Sequence, residues 1–289
     1  MTGNEARWRD GYWTSADGLT LHYRDYPGDP AATPVICIPG LTRNARDFAA
    51  VADRLAGGRR VIVVELRGRG MSDWSPDFAT YHAAGYVGDV RALLAALDLP
   101  RFVIFGTSLG GIIAMVLGAS GQSGLAGVLL NDIGPVIEEA GLERIRGYIG
   151  PARWPSWEAA ARAMAETHGH AFPDFEAADW RAMAERLAIE KDGAIVGDYD
   201  PAIAILVAMP TPAPAEPWRL IEGFEAMPTL LVHGALSDIL SAGTAAAMAR
   251  RLPRMETVTL PRVGHPPLLT EPGVEAAIDR LLAAVDSRG

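Results

Sequence analysis

Ser108 is the residue around which chemistry can be built. It lies in Gly106-Thr107-Ser108-Leu109-Gly110, after the apolar run Phe102 to Phe105 and before a helix-like segment, Ile112 to Leu117. A serine at a tight strand-to-helix turn is driven into a strained backbone conformation, so the residues two positions away must lack bulk; Gly106 and Gly110 meet that need. The hydroxyl then stands clear of the sheet, and the next backbone N–H points into the same space. A serine hydroxyl is a weak nucleophile until a base takes its proton. Of the six histidines, His22 falls in an N-terminal hairpin and His82 begins a helix. His168 and His170 fall in a helical insertion, and His233 closes a strand as a buried, satisfied side chain. That leaves His265, in Arg262-Val263-Gly264-His265-Pro266, on the loop between the last strand and the final helix, as the expected base.

The base needs a carboxylate to hold its tautomer and stabilise the imidazolium. Asp238, directly after the run ending Val232-His233-Gly234, gives the order Ser108, Asp238, His265 and is the expected acid. Asp132, which follows Leu125 to Asn131, is the alternative; its other reading is a turn cap before Gly134-Pro135. Two N–H donors must hold the oxyanion. Leu109 supplies one, and Leu41, after Pro39-Gly40, the other; such a donor is typically worth about 10²–10³ in rate. Arg43 and Asn44 follow at once and either touch substrate or start the next helix.

The elements that position these groups show in the apolar pattern. Tyr12 to Thr14 and Thr20 to Tyr23 flank a turn at Asp17-Gly18 and form a hairpin. The runs Val35 to Ile38, Val61 to Leu66, Phe102 to Phe105, Leu125 to Asn131, Thr229 to His233 and Thr257 to Leu260 barely alternate. Strands covered on both faces read that way. Helical spacing fills the intervals, at Tyr81 to Leu97 and again at Val274 to Val285. The expected fold class is α/β, a doubly wound and mostly parallel sheet. Residues 135–217 break the rhythm. They are rich in Ala, Glu, Arg and Trp, show no convincing strand, and end in a proline cluster at 209–214 that reads as a stiff exit linker. The expected organisation is a core of residues 1–134 and 218–289, with 135–217 as a helical lid over the sheet's carboxyl edge. Trp154 and Trp157 are expected to line the substrate pocket beneath it, with Arg43.

Composition narrows the classes further. The 289 residues are 49% hydrophobic and 21% charged, which excludes wholesale disorder. A net charge of −9 repels phosphate backbones and anionic membranes, so no nucleic-acid or membrane partner is expected. The charged first ten residues lack the apolar centre of a secretory leader, and no apolar run nears the roughly 18–20 residues that span a bilayer. A cytoplasmic location is expected. The single cysteine, Cys37, lies in a strand and reads as packing. No dinucleotide fingerprint or phosphate loop starts at Gly106, and Gly68-Arg69-Gly70 precedes no helix. His168 and His170 lack a supporting ligand set and read as a solvated helix face, so neither metal nor cofactor is expected.

Taken together, the motif around Ser108, the segment ending at Asp238, Gly264-His265, and Leu66-Arg67-Gly68-Arg69-Gly70-Met71-Ser72-Asp73 resemble the α/β-hydrolase superfamily, in its serine-nucleophile branch. The resemblance covers the core and is weakest from about Glu138 to Pro217. It implies an eight-stranded sheet with a helical cap. Where many relatives carry His-Gly at the oxyanion loop, this chain has Pro39-Gly40. The expected activity is acyl transfer to water on a small to medium carboxylic ester or lactone. Carbon–carbon hydrolysis of ring-cleavage diketones, perhydrolysis, and a non-catalytic ligand receptor are the alternatives; oligomeric state is not legible.

Overall fold

Alternate residues of the central strands enter different cores, which explains why these strands show no polar face. Val35 and Cys37 of β3 (Val35–Ile38) join one apolar cluster, while Ile36 and Ile38 join another. Val61 and Val63 of β4 (Val61–Glu65) likewise part from Ile62 and Val64, and Val103 and Phe105 of β5 (Phe102–Thr107) part from Phe102 and Ile104. A side-chain period of two sends successive residues to opposite faces, and here both faces are covered by helices. The computed structural model describes residues 7–209 and 215–288. The first six residues of the N-terminal segment and the prolines of the expected exit linker fall outside them.

The eight-stranded sheet runs β1 (Arg9–Thr14), β2 (Thr20–Tyr26), β4, β3, β5, β6 (Leu125–Asn131), then β10 (Thr229–Gly234) and β11 (Met255–Leu260). The first two strands are antiparallel, and all pairs from β4 to β11 are parallel. Helices α2 (Ala83–Leu97), α3 (Leu109–Ala119) and α8 (Ala242–Arg251) pack on one face, whereas α1 (Ala49–Leu55) and α9 (Val274–Asp286) pack on the other. Cys37 is fully buried between strands, and burial pushes its thiol well above the ordinary range, so it packs as a small apolar residue. Strand order reverses at β3, which has β4 on one side and β5 on the other. A crevice opens at such a switch point, outside the carboxyl ends of the strands. Ile38 pairs with Gly106, and Thr107 with Asn131, so the loops after β3, β5 and β6 emerge side by side.

The insertion differs from expectation in one respect. Beside α4 (Glu139–Tyr148), α5 (Trp157–His168), α6 (Ala177–Leu187) and α7 (Ile203–Ala208), it contains a three-stranded antiparallel sheet in the order β7 (Arg153–Trp154), β9 (Ala194–Gly197), β8 (Ala188–Lys191). The turn joining β8 to β9 is Asp192-Gly193, with φ of 50° and 69°. A two-residue turn with positive φ twists in the sense that a hairpin needs, and Asp-Gly adopts it readily. The insertion has its own apolar cluster, centred on Met164, Phe172, Trp180 and Met183. It is tied to the core through Asn44, whose Nδ2 donates to the Arg186 carbonyl (3.0 Å) and to Asp198 Oδ2 (2.9 Å). Arg46 also donates to the carbonyls of Arg186 and Ala188. Among the described residues, no helix is long and apolar enough to cross a membrane.

Candidate active site

Ser108 sits between β5 and α3 with φ 51° and ψ −113°, a positive-φ backbone that costs a non-glycine residue energy. The glycines on either side allow it. A Cβ on Gly106 would lie 2.5 Å from the Gly110 carbonyl, and one on Gly110 would lie 1.9 Å from the Ile38 carbonyl oxygen. Backbones of α3, β5 and β3 therefore meet where no side chain fits. The Ser108 N–H donates to the Asn131 carbonyl (3.1 Å), which locks the turn to β6.

His265 arrives from the loop after β11, and two ties hold that loop over Ser108. Asn131 Nδ2 donates to the Pro267 carbonyl (2.8 Å), and the Gly264 N–H donates to the Ala171 carbonyl of the insertion (2.6 Å). The imidazole is 6% exposed, with Nε2 3.0 Å from Ser108 Oγ. Its Nδ1 lies 2.9 Å from Asp132 Oδ2. A carboxylate accepts only, so Nδ1 carries the hydrogen and Nε2 presents a lone pair to the serine hydroxyl. Ser108 and His265 are thus brought together as the sequence suggested.

The carboxylate is not the one expected. Asp132, fully buried at φ 54°, faces the ring. Its Oδ1 accepts from the Gly234 N–H (2.8 Å), and its Oδ2 accepts from Ser237 Oγ (2.5 Å) as well as from His265. Asp238 turns the other way and is bound through both oxygens by Arg144 of α4. The reason is steric and electrostatic. Helix α4 packs so close to this loop that a Cβ on Gly141 would lie 2.4 Å from the Asp238 carbonyl oxygen, and Arg144 lies one turn further along. Burial pushes the Asp238 carboxyl up, but the Arg144 guanidinium outweighs it and holds the group below the usual carboxylate range. Asp132 was legible as the alternative, since its strand also ends at the same edge of the sheet; Ser237, its third donor, carried no signal.

The loop after β3 lies against the serine: a Cβ on Gly40 would sit 3.7 Å from Ser108 Cβ and 3.3 Å from Arg43 Cγ. Among the described residues, the N–H groups of Leu41 and Leu109 donate to no backbone carbonyl or side chain, which leaves both open to an incoming oxyanion. Leu109 opens α3, whose N-terminal dipole favours negative charge. Arg43 is buried, its stem beside Gly40 and its Nη1 3.1 Å from Asp47 Oδ1. Trp154 and Trp157 instead pack on the insertion's own cluster, Trp157 beneath the Arg181 guanidinium at 5.4 Å. His168 is not solvated as expected. It is 8% exposed, edge-on to Tyr148 at 5.1 Å, with Nδ1 unpartnered. Burial, reinforced by the positive charges of Arg43 and Arg144, lowers it to about 3, so it stays neutral. Among the described residues, no group of three or more His, Cys, Asp or Glu side chains could hold a metal ion.

The geometry, a hydroxyl, an imidazole and a buried carboxylate in line beside two open N–H groups, is suited to nucleophilic attack on a carbonyl. Residues 35–278 match the model of the alpha/beta hydrolase family. A 3-hydroxybutyrate-oligomer hydrolase of Cupriavidus necator is 38% identical over 258 residues, covering 85% of this chain and 87% of that protein. A 2-(acetamidomethylene)succinate hydrolase of Mesorhizobium japonicum is 26% identical, over 86% and 85% of the two chains. The crystal structure of an alpha/beta hydrolase from Novosphingobium aromaticivorans superposes with a TM-score of 0.93 at 47% identity, covering 98% of this chain and all of that one. This chain belongs to the alpha/beta hydrolase family of enzymes.

Proposed function

We propose that the chain is a serine hydrolase of carboxylic esters, working through an acyl-enzyme. Ser108 Oγ attacks the ester carbonyl as His265 Nε2 takes its proton, and the N–H groups of Leu41 and Leu109 receive the oxyanion. The ester C–O bond breaks, and the imidazolium returns its proton to the departing alcohol. Water, deprotonated by the same imidazole, then attacks the acyl carbon and frees Ser108 and the acid. Asp132 keeps the hydrogen on Nδ1 and stabilises the imidazolium. The observation that carries this reading is the unbroken relay from Ser108 Oγ to His265 (3.0 Å) and from His265 to Asp132 (2.9 Å).

The resemblance to a 3-hydroxybutyrate-oligomer hydrolase over most of both chains favours short linear esters of hydroxy acids within that class. Such a substrate carries ester bonds of modest size and enters the space between the core and the 135–217 insertion, which acts as a lid. The test is a panel containing a p-nitrophenyl butyrate ester, a lactone, linear 3-hydroxybutyrate dimers and a ring-cleavage diketone, assayed with wild type and Ser108→Ala. Linear esters should turn over fastest, and Ser108→Ala should lose activity by about 10³-fold or more. A Ser108→Ala variant of wild-type activity would overturn the acyl-enzyme. Faster turnover of the diketone would overturn the substrate class.

A further inference from the structure

Among the described residues, Arg69 is the largest fully buried side chain. Its Nε and Nη2 both donate to the Leu41 carbonyl, at 2.9 and 2.7 Å, in a two-pronged clamp. Its Nη1 donates to the Arg67 carbonyl (2.6 Å) and to the Tyr86 hydroxyl (2.9 Å), and the guanidinium lies 4.8 Å from the Tyr86 ring centre. Arginine stays charged, and a buried charge is costly unless something compensates it. No direct ion pair to Arg69 forms among the described residues: Asp17 and Asp89 pair with Arg67, and the Asp89 charge reaches Arg69 only at longer range. Carbonyl dipoles and an aromatic face stabilise the guanidinium without cancelling its net charge.

We propose that Arg69 is a positioning residue for the oxyanion site, an inference that rests on Leu41 N–H being an oxyanion donor. The clamp fixes the Leu41 carbonyl, one Cα away from the donating N–H, so the loop after β3 cannot rotate that N–H away from Ser108. The planar fork restrains the carbonyl in two directions, which a lysine ammonium cannot do.

The test compares Arg69→Lys, Arg69→Met and Tyr86→Phe on one p-nitrophenyl ester, with kcat expressed per site titrated by a fluorophosphonate. Arg69→Met should lose about 10²-fold in kcat and Arg69→Lys about 10-fold, with KM changed less than about 2-fold. Tyr86→Phe, which removes one acceptor from Nη1 and leaves both prongs on the Leu41 carbonyl, should lose about 2–3-fold. Affinity for an alkyl boronic acid, which mimics the tetrahedral oxyanion, should fall in parallel with kcat. A purely structural role would reduce titratable sites and melting temperature and leave kcat per site unchanged. If Arg69→Met does not fold, the other two variants decide. Folded Arg69→Lys and Tyr86→Phe with wild-type kcat per site and boronate affinity overturn the inference, while an inactive Ser108→Ala in the same assay keeps the acyl-enzyme reading standing.

Discussion

The loops after β6 and β10 each carry an aspartate near His265, and they use it in opposite ways. Asp132 is fully buried, and three donors converge on it: the Gly234 N–H, the Ser237 hydroxyl and the His265 ring. Asp238, with its side chain 26% exposed, faces the insertion and is satisfied by Arg144. Three convergent donors fix the Asp132 carboxylate in one orientation facing the His265 ring. A carboxylate held by a guanidinium on a separate element instead joins two parts of the chain. The choice between these carboxylates thus lies in their neighbours, and the loop after β10 even serves the other aspartate, because Ser237 donates to Asp132.

The largest expected effect separates the two directly. Asp132→Asn should cut kcat about 10³–10⁴-fold on the preferred ester, since the amide can hold the wrong tautomer of His265. Asp238→Asn should change kcat less than about 3-fold while lowering stability by about 1–2 kcal/mol in urea titration, the cost of leaving Arg144 without its partner. The opposite ranking in kcat would return the acid's role to Asp238. Ser237→Ala, which removes one donor from Asp132, should cost about 10-fold in kcat; an unchanged kcat would show that the Gly234 N–H and His265 suffice.

The fold was legible because the two-faced burial of the central strands leaves uninterrupted apolar runs, and because Ser108 can occupy its turn only between Gly106 and Gly110. The placing of His265 beside Ser108 was legible by elimination. The carboxylate that faces it was not, because this depends on where a side chain turns after leaving the strand, and local spacing treats Asp132 and Asp238 alike. The small sheet of the insertion had a signal, Asp192-Gly193 between two apolar pairs, but the Ala- and Glu-rich composition around it reads as helix. The burial of His168 follows from the way α5 ends against Tyr148, a tertiary contact with no local signature.

That histidine sharpens the contrast between the site and the insertion, with the smallest expected effect. Its folded value of about 3 lies below the ordinary 6.5, so the unfolded chain binds the extra proton between these limits. Its contribution to stability is therefore complete above about pH 6.5 and lost as pH falls towards about 3. His168→Phe should lower the urea midpoint less than wild type does on going from about pH 7 to about pH 5. An identical loss in both proteins would show that the imidazole is protonated in the fold.

The most direct test of the Ser108–His265–Asp132 unit is the second-order rate of covalent labelling by a fluorophosphonate, with the adduct located by peptide mass spectrometry. Wild type and Asp238→Asn should label on Ser108 at similar rates, and Asp132→Asn and His265→Ala should label slower by about 10²-fold or more. Equal labelling of Asp132→Asn and wild type, or an adduct on any residue other than Ser108, would contradict the account.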